Sequence, residues 1–127
     1  MKQLVSLPIV GAKFRPPAAG LLSVLPQGAS LLVRREPDNP HDANALQVLV
    51  ERSTLEQIPP AQLQAACEGF GFSAADILDA MCWHLGYVPR KDAEVLAPSF
   101  DEAGAHEVPA RLTFALDGRL SVSFEVP

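Results

Sequence analysis

Residues 29–51 read ASLLVRREPDNPHDANALQVLVE, two apolar runs joined by a connection crowded with prolines, amides and carboxylates. Both runs, ASLLVRRE and NALQVLVE, are too short for a stable helix and rich in branched apolar residues, so each is predicted to be a strand. An ordinary turn between strands needs only one or two shape-fixing residues. Here Pro37 and Pro40 fix two φ angles, while Asp38, Asn39, Asp42 and Asn44 can each close a turn onto nearby backbone N–H groups. The connection is therefore expected to be stiff, with little entropy left to lose. Such a loop can be wholly structural, with His41 and Asp42 simply solvated. It can also present them at a fixed place, where a carboxylate that only accepts hydrogen bonds takes a donor such as a ligand hydroxyl.

Toward the N-terminus, residues 3–14 read as a strand with Val5, Leu7, Ile9 and Gly11 on one phase, stopped by Pro16-Pro17. AAGLLSVLP then makes a short helical turn closed by Pro26. Beyond residue 51 the period changes. PPAQLQAACEGF starts with prolines where a helix tolerates them and ends at Gly69 and Gly71. SAADILDAMCWHL opens with Ser73 as N-cap and Asp76 at the capping-box position, completing a helical hairpin. HLGYV is a further short strand, and a helix starts at Pro89 with Ala93, Leu96 and Ala97 inward. In ARLTFALDGRLSVSFEV, an Asp117-Gly118 two-residue turn would make the two strands bury opposite faces. A three-residue loop, Leu116-Asp117-Gly118, instead pairs Phe114 with Leu120 and Leu112 with Val122 on one side. Five or six short strands with helices inserted unevenly predict an α+β, mainly β fold: a small antiparallel barrel with a few short helices and an inserted helical hairpin.

At 127 residues, with 48% hydrophobic and 20% charged, the chain is expected to form one soluble domain, residues 1–127. No apolar stretch approaches a membrane span and the N-terminus is a poor signal peptide, so the cytoplasm is the default location. Cys67 and Cys82 have no CxxC-type partner and are expected to be small core residues without a disulfide. The net charge is −5, which argues against a generic nucleic-acid binder. The charge is unevenly spread: Lys2, Lys13, Arg15, Arg34 and Arg35 leave residues 1–50 at +2, whereas residues 51–83 stand at −4. A local basic face is therefore compatible with an acidic chain.

Asp38, His41 and Asp42 imitate a metal site, but no glycine occupies a calcium-loop position and no second acidic cluster follows at a fixed spacing. A nucleophilic Cys67 or Cys82 working with His84 fails on context, because the run is apolar and nothing lowers the thiol pKa. His106 reads as an exposed loop residue. Phosphate-binding glycine loops and paired catalytic carboxylates are absent from the sequence. No cofactor or metal is expected, and the chain reads as a binder rather than an enzyme.

Three segments in order, VGAKF, LLVRREPDNPHDANALQV and HLGYVPRKDAEVLA, resemble the HIRAN domain, over about residues 8–50 and 84–127. That domain occurs at the N-terminus of some Swi/Snf-type DNA translocases that remodel stalled forks, and alone in bacteria and phages. The resemblance implies an OB-like barrel and binding of single-stranded DNA, with capture of a 3′-hydroxyl end as in the eukaryotic translocase member, or recognition of damaged or stalled-fork DNA in a DNA-repair setting. It implies that Asp42 meets the terminal hydroxyl, that His41 stands where the family usually has an aromatic residue, and that Lys13 and Phe14 supply a phosphate contact and a stacking face. Tyr87 and Arg90 would touch the terminal nucleotide and its phosphate; Arg15 and Lys91 are basic neighbours. By the same comparison, residues 51–83 read as an insertion. Partners would be DNA ends, with a separately encoded helicase or nuclease. The alternative is a protein-interaction module that uses the barrel or the helical hairpin without DNA.

Overall fold

The computed structural model describes residues 3–15, 17–114 and 119–127. Six strands form one antiparallel sheet: β1 (Leu4–Pro8), β2 (Ser30–Arg35), β3 (Leu46–Glu51), β4 (Cys82–Tyr87), β5 (Glu107–Phe114) and β6 (Leu120–Glu125), in the order β1-β6-β5-β2-β3-β4. The helices are α1 (Ala18–Val24), α2 (Arg52–Leu55), α3 (Pro60–Glu68), α4 (Ala74–Asp79) and α5 (Arg90–Ala103). This is the mainly β, antiparallel architecture with short helices that the patterning predicts. The sheet is not closed by a continuous ladder. Where its two edges meet, past the end of β1, Val10 and Tyr87 exchange both backbone hydrogen bonds at 2.9 Å in an isolated bridge.

The two strands of the opening stretch pair directly, Arg35 with Leu46 and Val33 with Val48. Leu31 and Val33 point into the core, as alternation requires. The C-terminal strands pair Phe114 with Leu120 and Leu112 with Val122, the register expected from burying one face. The three-residue loop expected between them, Leu116-Asp117-Gly118, lies outside the described residues. Ser73 caps α4 as expected: its hydroxyl accepts from the Asp76 amide at 3.1 Å while Asp76 accepts from the Ser73 amide at 3.0 Å. Those bonds hold the Asp76 carboxyl below its usual pKa.

Two elements differ from the sequence expectation. Residues 3–14 are not one strand: after β1 and the Val10 bridge, Ala12–Phe14 form a 3-10 turn that carries Lys13 and Phe14 outward. The helix beginning after Ser73 also ends earlier than its apolar period suggests. The chain turns at Met81, φ 65°, and Cys82 and Trp83 enter β4 opposite Glu51 and Val50. The unpaired edge of β3 offers those backbone groups a ladder, and that outcompetes another helical turn.

Residues 52–79 are not a loose appendage. Leu55, Ile58, Leu63, Cys67 and Ile77 all belong to the main core cluster. Helix α3 lies so close to α1 that a Cβ on Gly20 would meet the Ala66 carbonyl oxygen at 2.3 Å. Burial raises the Cys67 thiol pKa, as it does that of the half-buried Cys82, and both cysteines are free. No helix among the described residues is long and apolar enough to cross a membrane.

Candidate functional site

The proline-rich connection is stiffened as its composition suggests, by two of its four candidate side chains. Asn39 Oδ1 accepts from the amides of His41 (2.8 Å) and Asp42 (3.1 Å), and Asp42 Oδ1 accepts from the Asn44 amide at 2.9 Å. Arg35, its side chain only 8% exposed, ties the loop to α5. Its Nε and Nη2 meet the two Asp101 carboxylate oxygens at 3.0 and 3.2 Å, and its Nη1 donates to the Ala43 carbonyl. The Asp42 carboxylate is thereby oriented. Its Oδ1 serves the loop, and its Oδ2 lies 4.0 Å from Arg90 Nε at the start of α5, with the Asp42 side chain 18% exposed.

A cavity of about 380 Å³ opens here, lined by His41, Asp42, Tyr87 and Arg90 together with Asn39 and Arg15 and an apolar floor of Val10, Ala45 and Val88. Four of the six residues predicted for the site therefore converge. They come from a strand connection, the end of β4 and the first turn of α5, and the Val10 bridge pulls the N-terminal segment against them. The guanidinium of Arg15 lies 5.9 Å from the Tyr87 ring centroid, forming a cationic and aromatic wall.

Lys13 and Phe14 sit outside this cavity. Phe14 is exposed, with the Lys13 ammonium 5.0 Å from its ring centre, and it lines a second cleft with Arg15, Trp83 and His84. Arg15 is common to both hollows. A larger groove of about 720 Å³ runs over β1, β2, β5 and β6, lined by residues such as Ser30, Arg111 and Thr113. It contains none of the predicted residues.

His84 lines the second cleft, with its ring edge-on to Tyr87 of the first at 4.6 Å between centroids. Its Nε2 is 2.7 Å from the Gly86 carbonyl, which can only accept, so Nε2 carries the hydrogen. Burial, then the nearby Arg15 cation, lowers the His84 pKa below the usual 6.5, against smaller opposing effects of Gly86 and Glu36. A histidine held neutral in the fold contributes stability that is complete above pH 6.5 and lost as pH falls below it, because the unfolded chain then binds more protons. Urea melts between pH 8 and 5 should show this loss, and His84→Gln should flatten it.

Two contributors escaped the sequence reading, Glu36 and Val10, whereas Asn39 closes onto the loop amides as its composition suggests. The Glu36 carboxylate accepts from Tyr87 OH at 3.0 Å and from the side-chain amides of Asn39 and Gln47. A lone glutamate after a strand looks like any solvated residue. Nothing local marks Val10.

Fold and cavity together define a small antiparallel, barrel-like domain whose proline-rich connection faces an aromatic and cationic wall. The HIRAN domain family matches residues 2–127, and the chain belongs to that family. Among solved structures it is similar to a protein from Lactobacillus plantarum, with 17% identity, TM-score 0.57, and coverage of 98% of this chain and 97% of that one. It is also similar to the HIRAN domain of human HLTF, with 16% identity, TM-score 0.53, and coverage of 97% and 75%. At such identities the likeness is one of fold. No curated protein matches the chain.

Proposed function

We propose that this chain binds single-stranded DNA at its 3′ end, seating the terminal nucleotide in the Asp42–Tyr87–Arg90 cavity. One observation carries the reading: Asp42 is fixed through one oxygen by the Asn44 amide, while the other lies toward Arg90 in a cavity that both residues line. An acceptor so oriented suits a sugar hydroxyl. The apolar floor suits the sugar face, and Arg15 and Arg90 suit the phosphate that follows. About 380 Å³ is at the small end of the roughly 300–1,000 Å³ range of ligand pockets, in keeping with one nucleotide. The exposed Phe14 gives the next base a stacking face, and His41 stacks less firmly than the aromatic residue usual in the family. HIRAN membership supports DNA as the ligand, and an acidic total charge is no obstacle when the cations gather at one site. The chain would act as a binder, beside separately encoded helicases or nucleases.

Labelled oligonucleotides ending in a 3′-hydroxyl or a 3′-phosphate test this. The hydroxyl strand should bind more tightly, and log affinity should fall with log salt at a slope of about −2 if Lys13, Arg15 and Arg90 each meet one phosphate. Equal or salt-insensitive affinities would overturn the reading. Phe70 and Met81, 44% and 64% exposed beside the helical segment, favour the second reading, a protein-interaction surface there. Under that reading no DNA binding is seen and Met81→Lys weakens partner capture.

A further inference from the structure

We infer that Glu36, a residue outside the cavity lining, is the positioning residue that builds the binding cavity before any ligand arrives. This rests on the reading of the cavity as the ligand site and adds which residue sets its geometry.

Glu36 stands where β2 ends and the stiff connection begins, and its half-buried carboxylate gathers three donors from three parts of the chain. Tyr87 OH comes from β4, the Asn39 amide from the connection, and the Gln47 amide from β3. Each bond has a consequence at the cavity. The bond from Asn39 Nδ2 commits the amide end of that side chain, so its carbonyl end is left for the amides of His41 and Asp42. The bond from Tyr87 OH uses the phenol's single hydrogen, so the face it offers a ligand is an aromatic ring and an acceptor oxygen, never a donor. The Gln47 bond anchors the carboxylate to the sheet. Asp42 and Tyr87 are thus coupled through Asn39 and Glu36: Asn39 holds the Asp42 amide, and its Nδ2 donates both to Glu36 and, at 3.3 Å, to the Tyr87 hydroxyl, which itself donates to Glu36.

The phenol also reports the arrangement. Burial and the Glu36 carboxylate raise the Tyr87 pKa above 10, with Arg15 and the Asn39 amide opposing. Tyr87 is the only tyrosine in the chain, so its phenolate absorbance can be read without overlap from another.

The experiment compares wild type, Glu36→Ala and Glu36→Gln for binding of a 3′-hydroxyl oligonucleotide, for tyrosine titration and for urea stability. Glu36→Ala should lose about tenfold in affinity, with the Tyr87 pKa falling toward 10. Glu36→Gln should recover affinity to within a few-fold: its carbonyl can still accept from Tyr87 and Asn39 while Gln47 turns its own amide to take the new donor. Wild-type affinity in folded Glu36→Ala, an unmoved tyrosine titration, or equal losses in both variants would overturn the inference. If Glu36→Ala does not fold, Tyr87→Phe, which removes one of the three donors to Glu36, replaces it, and wild-type affinity in that variant overturns the inference equally. Should wild type show no preference for the hydroxyl end, the reading of the site fails instead, whereas the tyrosine titration still reports on Glu36.

Discussion

Asp42→Asn is expected to abolish the preference for a 3′-hydroxyl while leaving the fold intact. Asparagine keeps a carbonyl oxygen to accept from the Asn44 amide, so the turn at residues 42–44 survives. The other carboxylate oxygen becomes an NH₂ group, which cannot accept the hydroxyl hydrogen and no longer offsets the charge of Arg90. A hydrogen bond to a charged group contributes roughly 1.5–3 kcal/mol, so hydroxyl-ended strands should bind about tenfold or more weakly, with phosphate-ended strands equalled or favoured. Fluorescence anisotropy with the two strand ends measures this directly. Asp42→Ala should lose the same preference and some loop order besides. If Asp42→Asn keeps the preference, some other residue reads the strand end.

Gly86→Ala should be the most damaging single substitution near the site. A Cβ there would lie 2.5 Å from the Val10 carbonyl oxygen and 3.0 Å from Ile9 Cγ2, so the N-terminal segment must move off β4. The Val10–Tyr87 bridge, with its two backbone hydrogen bonds, would be strained or lost. Overpacking together with weakened bonds should cost about 2–3 kcal/mol, a fall in Tm on the order of 10 °C for a domain of this size. Val10 and Tyr87 both line the cavity, so affinity should drop with stability. Thermal melts and anisotropy on the same sample separate the two effects. An unchanged Tm would mean that the seam between β1 and β4 carries little of the fold's stability.

Much of this was legible in the sequence because local chemistry and tertiary packing agreed. The opening connection had turn residues at every step, and two of them, Asn39 and Asp42, close onto its amides. The C-terminal hairpin had only one register that buried Leu112 and Val122 together. Ser73 and Asp76 form a cap whose spacing is its own evidence. The convergence of His41, Asp42, Tyr87 and Arg90 was implied by family resemblance, because no periodicity brings a loop, a strand end and a helix start to one point. Cys82 and Trp83 were misread where local and non-local demands conflicted: an apolar helical period continued through them, while the edge of β3 required a partner. Phe14 was expected to offer a stacking face at the site; the 3-10 turn places it in a neighbouring cleft with Trp83 and His84, and Arg15 lines both hollows. Glu36 could not be recognised because its three donors come from positions 39, 47 and 87, a grouping that exists only after folding.

The five side chains that residues 52–79 send into the interior set a limit on trimming this domain. A miniaturised version that ran straight from Glu51 into Cys82 would leave a hole where Leu55, Leu63 and Ile77 had been. Any lineage that dispensed with those helices must have refilled that space from elsewhere, so gain or loss of the segment should travel with larger residues at the small positions that now receive it, Gly20 first among them.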